Sequence, residues 1–279
     1  MEADECHKLA VELCWMSYAR GLLPTEWKAD VHARLQEVGG VVFHYCFDIE
    51  SVQGIVVEFS DVTYVVFRGS DRSLRDWLVN FYARKQQRGA GFVHAGFHFA
   101  YKQLASLIFR QCCTKPVVFT GHSQGGALAT LAADDWHQKG GQVAGVVTFG
   151  APRVFDKIEA KRYDRQLKDR HFAYNYRADV VPFLPPRFPW WVWSVFLFPL
   201  IPVVGGALWT TIINVMRQLP CGFCHVGQIL RFGADGKPVK STWWFALKDI
   251  VWGSLSHIGK CGLALYVHHR LTAYREAMF

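Results

Sequence analysis

The sequence predicts an α/β sandwich with a mostly parallel central sheet flanked by helices. Three observations carry that expectation. Short β-branched and aromatic runs crowd residues 41–70. From residue 116 onward, apolar strand-like runs alternate with helix-forming stretches, the pattern that builds parallel sheets through crossover helices. Of 279 residues, 51% are hydrophobic and 19% charged, which excludes a disordered chain and permits a sizeable core.

The elements follow in chain order. In MEADECHKLAVELCWMSYAR, Cys6, Leu9, Ala10, Leu13 and Ser17 recur at helical spacing and predict an amphipathic helix. VVFHYCF (41–47), GIVVEFS (54–60) and VTYVVFRGS (62–70) read as strands ended by turn residues. GFHFAYKQLASLIFRQ (96–111) reads as a helix, PVVFTGHS (116–123) as a buried strand, and GGALATLAADDWHQKG as the helix after it. AGVVTFGAPR (144–153) and HFAYNYRADVVP (171–182) are further strands, VGQILRFGADGKPV (226–239) resembles a hairpin, and the chain from about 245 is mostly helical. No repeat or domain boundary is evident, so one domain over 1–279 is expected.

Net charge is +8, but the basic residues are dispersed. The densest patch, Lys161 to His171, is interleaved with Asp164 and Asp169 and reads as a solvated helix face. No nucleic-acid module is present, and no HExxH, P-loop or dinucleotide fingerprint, so neither a metal nor a cofactor is expected. The acidic N-terminus lacks the basic start and apolar core of a signal peptide. The expected location is cytoplasmic or peripheral to a membrane, with non-classical export left open. On that reading the eight cysteines are reduced core residues rather than a disulfide framework.

Chemistry concentrates at VVFTGHSQGGALATLAA. Gly121-His122-Ser123-Gln124-Gly125 fits G-x-S-x-G, placed where an apolar strand ends and a helix begins. That is the setting of a nucleophile elbow: the sharp turn exposes the serine hydroxyl, and helix N–H groups face a developing oxyanion. A serine also needs a base and an orienting acid, which in α/β-hydrolases follow in the order Ser, Asp or Glu, His. Asp179 ends an apolar strand on the edge to which the elbow points; Asp156, Asp164 and Asp169 lie in a charged, helix-like stretch and are poorer choices. Several histidines of the C-terminal stretch remain open as the base.

Several blocks, in order from about residue 40 to the C-terminus, resemble the class 3 (fungal-type) lipases of the α/β-hydrolase fold. They are Val66-Phe67-Arg68-Gly69-Ser70 with Asp76-Trp77-Leu78-Val79-Asn80, His94-Ala95-Gly96-Phe97, Gly121 to Gly126, Thr148 to Arg153 (TFGAPR), Asp179-Val180-Val181-Pro182, His225-Val226-Gly227, and His269 with Tyr274. The resemblance implies Ser123 as nucleophile, Asp179 as acid and His269 as base, with backbone N–H groups of Ser70 and Gln124 as the oxyanion hole. It makes Asp76 structural. The family often carries an acid before its histidine; here His268 stands there, so His268 and His257 stay open as alternatives. A lipid-ester hydrolase is implied, acting without metal or redox cofactor.

Cys221-Gly222-Phe223-Cys224-His225 also spells the C-x-x-C-H of c-type haem attachment and of redox pairs. Haem attachment normally requires export, and His225 already fits the resemblance, so two reduced cysteines in a packed turn are expected.

Between Arg187 and Arg217 lie 29 uncharged residues, four of them tryptophans, long enough to suggest a membrane span. A lone span would put Ser123 and Asp179 on one side and His269 on the other. Pro199, Pro202 and Gly205-Gly206 interrupt the run, and Trp190, Trp191, Trp193 and Trp209 suit a membrane–water interface. The expectation is an apolar insertion at 188–216 after the catalytic acid strand, bent into an interfacial hairpin or lid. The partner it implies is a lipid or membrane surface; protein partners are left unspecified. A catalytically silent hydrolase fold serving as a membrane-binding or interaction module is the alternative.

Overall fold

The structure, a computed structural model, describes residues 3–18, 24–49, 52–69, 85–111, 115–176, 179, 181–185, 187, 222–232, 238–240 and 270–279. Helices are α1 (Ala3–Ser17), α2 (Pro24–Gln36), α3 (Ala95–Gln111), α4 (Gln124–Gln138), α5 (Lys157–Leu167) and α6 (Leu271–Met278). Strands are β1 (Phe43–Ile49), β2 (Val52–Glu58), β3 (Thr63–Phe67), β4 (Lys85–Arg88), β5 (Gly91–His94), β6 (Val117–His122), β7 (Val143–Phe149), β8 (Phe155–Asp156), β9 (His171–Tyr176), β10 (Phe223–Cys224), β11 (Gln228–Phe232) and β12 (Pro238–Lys240).

Eight strands form the central sheet in the order β1-β2-β3-β6-β7-β9-β11-β12. The two edges are antiparallel hairpins, β1–β2–β3 and β11–β12, while β3, β6, β7, β9 and β11 run parallel. This is the mostly parallel α/β-hydrolase sheet that the sequence predicts. Side-chain alternation divides its two faces. Val65, Phe67, Phe119 and Val146 pack into a core with α3, α4 and α5. Tyr64, Val66, Val118 and Val147 pack into a second core with α1, α2 and α6.

Several expectations need correction. The strand read at 62–70 ends at Phe67, because Arg68 and Gly69 leave the ladder. The one read at 144–153 ends at Phe149, where Gly150 turns the chain with φ +57°. The one read at 171–182 ends at Tyr176, and residues 181–183 close into a short helical turn around Pro182. The first two strands are each displaced by about two residues, the usual boundary error of pattern reading. The hairpin at 226–239 is present, with Arg231 opposite Val239. Helix α2 and a second sheet of four short strands, β10-β8-β5-β4, were not anticipated. Strands of two to four residues carry too little periodicity to read.

The insertion at 188–216 and most of the stretch after 245 lie outside the described residues. Among the described residues no helix is long and apolar enough to cross a membrane. The described residues on either side of 188–221 meet: the Gly222 N–H donates to the Arg187 carbonyl at 3.1 Å.

Candidate active site

Parallel β6 and β9 end on the same sheet edge with only β7 between them. Two strand spacings are about 10 Å. The residues after those ends are Ser123 and Asp179, so the topology alone brings the two predicted groups to one edge.

Ser123 has φ +56° and ψ −128°, and it is the one non-glycine residue with positive φ among those described. Such a backbone is costly for a side-chain-bearing residue and persists where neighbours enforce it. Here the Ser123 N–H donates to the Phe149 carbonyl at 2.9 Å, and its carbonyl accepts from Gly126 at 3.0 Å. The turn is tight enough to require its glycines. A Cβ on Gly121 would lie 2.3 Å from the Gly125 carbonyl carbon, and one on Gly125 would lie 2.1 Å from the Phe67 carbonyl oxygen. Gln124 is the first residue of α4, and the first N–H groups of a helix have no intrahelical acceptor. Its backbone is therefore available for an anion at the elbow.

Asp179 is buried, at 1% exposure. One carboxylate oxygen, Oδ1, accepts the Val181 N–H at 2.9 Å. The other, Oδ2, accepts the Tyr274 hydroxyl at 2.5 Å. Tyr274 is fully buried in α6, and its oxygen also accepts the Tyr176 N–H at 3.0 Å. Burial, and then the Asp179 charge, push the phenol well above its ordinary range. It therefore stays protonated and donating, and two donors orient and compensate the buried carboxylate. The sequence carried Tyr274 only as a motif endpoint. Its contact spans 95 residues, so no local pattern announces it.

The competing carboxylates are occupied elsewhere. Asp156 caps α5, accepting the Ile158 and Glu159 N–H groups. Asp164 accepts the Gly227 N–H at 2.8 Å. Other motif residues turn out to brace the frame. Arg153 donates through Nη1 to the Phe183 and Pro185 carbonyls at 3.0 and 3.1 Å, clamping the chain just after Asp179. His94 accepts the Phe97 N–H at the start of α3. The His225 ring bonds the Pro182 carbonyl, and burial pushes its pKa down to about 3. Cys224 is a free thiol, as are Cys6, Cys14 and Cys46. Cys221 lies outside the described residues, and no group of three or more metal-ligating side chains occurs among those described.

Ser70, Asp76, His257, His268 and His269 also lie outside the described residues. Gly69, before Ser70, and Arg270, after His269, are described. Gly69 lies against the elbow: a Cβ there would sit 3.2 Å from the Ser123 Cβ. Arg270 caps α6, the helix that carries Tyr274 to Asp179.

With this geometry in place, comparison with known proteins is direct. The family model for lipase (class 3) matches residues 64–188, a segment that runs from β3 past Ser123 and Asp179. Residues 64–188 are thus similar to the class 3 lipases. A lipase of Rhizopus niveus is 29% identical over 189 residues, covering 61% of this chain and 47% of that protein. A lipase of Rhizomucor miehei is 28% identical over 193 residues, covering 61% and 51%. A secreted mono- and diacylglycerol lipase of Fusarium solani is 34% identical over 133 residues, covering 44% and 39%. The chain thus spans about half the length of the first two of these lipases. Among solved structures, a triacylglycerol lipase described as having a serine-protease triad aligns with a TM-score of 0.59 at 22% identity, covering 85% of this chain and 84% of that one. The Rhizomucor miehei triacylglyceride lipase aligns with a TM-score of 0.57 at 22% identity and the same coverage. At such identities the structures bear on the fold. The segment that resembles class 3 lipases carries Ser123 and Asp179, whereas α1, α2 and α6, which lie outside it, pack around them.

Proposed function

We propose that the protein is a serine carboxylic-ester hydrolase acting on lipid esters, acylglycerol or phospholipid, at a membrane surface. The observation that carries the reading is the pairing of a positive-φ Ser123 with a buried Asp179 held by Tyr274 and Val181 on one sheet edge. In the proposed reaction the Ser123 hydroxyl attacks the ester carbonyl while His269 takes its proton. Asp179 orients the imidazole and stabilises its charge. The Gln124 and Ser70 N–H groups hold the oxyanion, and His269 returns the proton to the leaving alkoxide. Water then releases the fatty acid from the acyl-enzyme by the same steps in reverse. The assignment of His269 is supported by its place immediately before Arg270, at the start of the helix that reaches Asp179.

The membrane part of the proposal is supported by the base of the insertion. Arg187 and Gly222, which bracket the stretch that contains it, are hydrogen-bonded. Exposed Lys85 lies beside that contact, 5.8 Å from the Phe223 ring and 5.9 Å from the exposed Phe92 ring. A cation beside the exposed Phe92 ring suits an anionic lipid interface.

A serine-directed phosphonate and a series of acyl-chain esters, with and without liposomes, test the reading. The wild type should be labelled and turn over esters, and Ser123→Ala should lose both. Undiminished turnover by Ser123→Ala would refute the mechanism. Liposome binding by a folded protein inert to every ester would instead favour a silent membrane-binding module.

A further inference from the structure

His122, the residue before the nucleophile, is buried at 5% exposure and is contacted from outside the segment that resembles class 3 lipases. Tyr18, just past α1, shares a 2.9 Å hydrogen bond between its hydroxyl and His122 Nδ1. Tyr18 also touches the turn that leads into Ser70. A Cβ on Gly69 would fall 2.2 Å from the Tyr18 hydroxyl, 2.7 Å from the His122 carbonyl oxygen and 3.2 Å from the Ser123 Cβ. Glycine is what lets these three groups converge. The preceding Arg68 lays its guanidinium over the Tyr18 ring at 5.5 Å and the Trp27 ring at 5.9 Å.

Tyr18 is itself held. The Trp27 indole N–H donates to the Ser17 carbonyl at 2.9 Å, and the Ser17 hydroxyl donates to the Cys14 carbonyl at 2.7 Å. Cys14 Sγ lies 3.3 Å from the Thr120 hydroxyl, which donates to the Val147 carbonyl. On its other side, His122 meets the Tyr274 ring edge-on at 5.9 Å, and Tyr274 holds Asp179. One imidazole therefore stands between the N-terminal helix, the nucleophile and the holder of the acid.

We propose that Tyr18 is a positioning residue: through its hydroxyl it fixes His122 and the turn at Gly69, and thereby the separation of Ser123 from the oxyanion-binding backbone. The role rests on the ester-hydrolase reading above. Misplacing such groups by a fraction of an ångström weakens transition-state contacts while leaving substrate binding nearly intact.

The test compares wild type, Tyr18→Phe, Tyr64→Phe, His122→Phe and the Tyr18→Phe/His122→Phe double variant on a short soluble ester and a serine-directed phosphonate. Tyr18→Phe keeps the ring over Arg68 and removes only the hydroxyl. Its kcat should fall about tenfold, with KM within about twofold and phosphonate labelling slowed in step with kcat. Tyr64→Phe removes another hydroxyl that bonds α1, to Cys6 Sγ at 3.2 Å, and should keep the wild-type kcat. The double variant should lose no more kcat than the worse single one, since both cut the same contact. Wild-type kcat and labelling in Tyr18→Phe, or an equal loss in Tyr64→Phe, would overturn the role. A wild type that neither hydrolyses esters nor takes label would overturn the ester-hydrolase reading and this role with it; an active wild type with an indifferent Tyr18→Phe would overturn this role alone.

Discussion

At the scale of single residues, the site depends on how a buried carboxylate is held and aimed. Asp179 receives one backbone donor and one phenol, and a hydrogen bond to a charged group contributes about 1.5–3 kcal/mol. Tyr274→Phe removes the phenol donor and leaves the ring among Phe149, Tyr176 and His122. If that energy is felt in the transition state, kcat/KM for a short ester should drop roughly ten- to a hundredfold. Steady-state kinetics at neutral pH measures this, and a change under about twofold would mean that the other contacts of Asp179 suffice to hold it.

Elements are tied together by contacts of a different kind. Asp134 on α4 is fully buried and takes a two-pronged contact from Arg162 on α5, at 3.0 and 2.6 Å, and an ion pair at 2.5 Å from Arg88 on β4. Removing Asp134 takes the buried acceptor from both guanidinium groups, leaving Arg162 its contacts to Glu159 and Gln166, at a cost of up to about 3–5 kcal/mol. Asp134→Ala should therefore lower the urea midpoint strongly while leaving kcat of the folded fraction intact; a loss under about 1 kcal/mol would mean that water already screens the cluster. The insertion makes the opposite case. Because Gly222 and Arg187 are hydrogen-bonded, replacing residues 188–221 with a short Gly-Ser turn should leave the frame closed. Short-ester turnover should persist, and co-sedimentation with anionic liposomes should fall. Unchanged sedimentation and unchanged long-chain activity would remove the membrane role from this segment.

For the molecule as a whole, buried histidines set the acid limit. His94, His171 and His225 are each pushed to about 3, in every case chiefly by burial. His171 illustrates how the neutral ring is satisfied, with Tyr163 on Nδ1 at 2.9 Å and Thr148 on Nε2 at 3.2 Å. The unfolded chain protonates these rings near 6.5, whereas the folded chain resists until about 3. Their contribution is thus fully present above pH 6.5 and is lost as pH falls from there toward 3. With three such groups the slope approaches about 4 kcal/mol per pH unit in that window. Urea midpoints between pH 7 and pH 4 should fall steeply; a flat profile would mean that these rings protonate in place.

The sequence by itself determined the sheet and the turn that carries Ser123. Strand–helix alternation, period-two apolar runs and a G-x-S-x-G at a strand end are local signals, and β6, α4 and Ser123 follow from them. Asp179 was legible for a similar reason, since a strand end on a parallel sheet fixes which edge a residue reaches. The family resemblance and the uncharged run suggested an insertion at 188–216, whereas the Arg187–Gly222 contact that brackets it is visible only in the folded chain. What holds the site required the folded molecule. Tyr274 reaches Asp179 across 95 residues, and Tyr18 reaches His122 across 104. Neither contact leaves a periodicity or a spacing to read. Such contacts exist because two helices from opposite ends of the chain pack on one face of the sheet, and only tertiary packing decides which of their side chains meet the elbow.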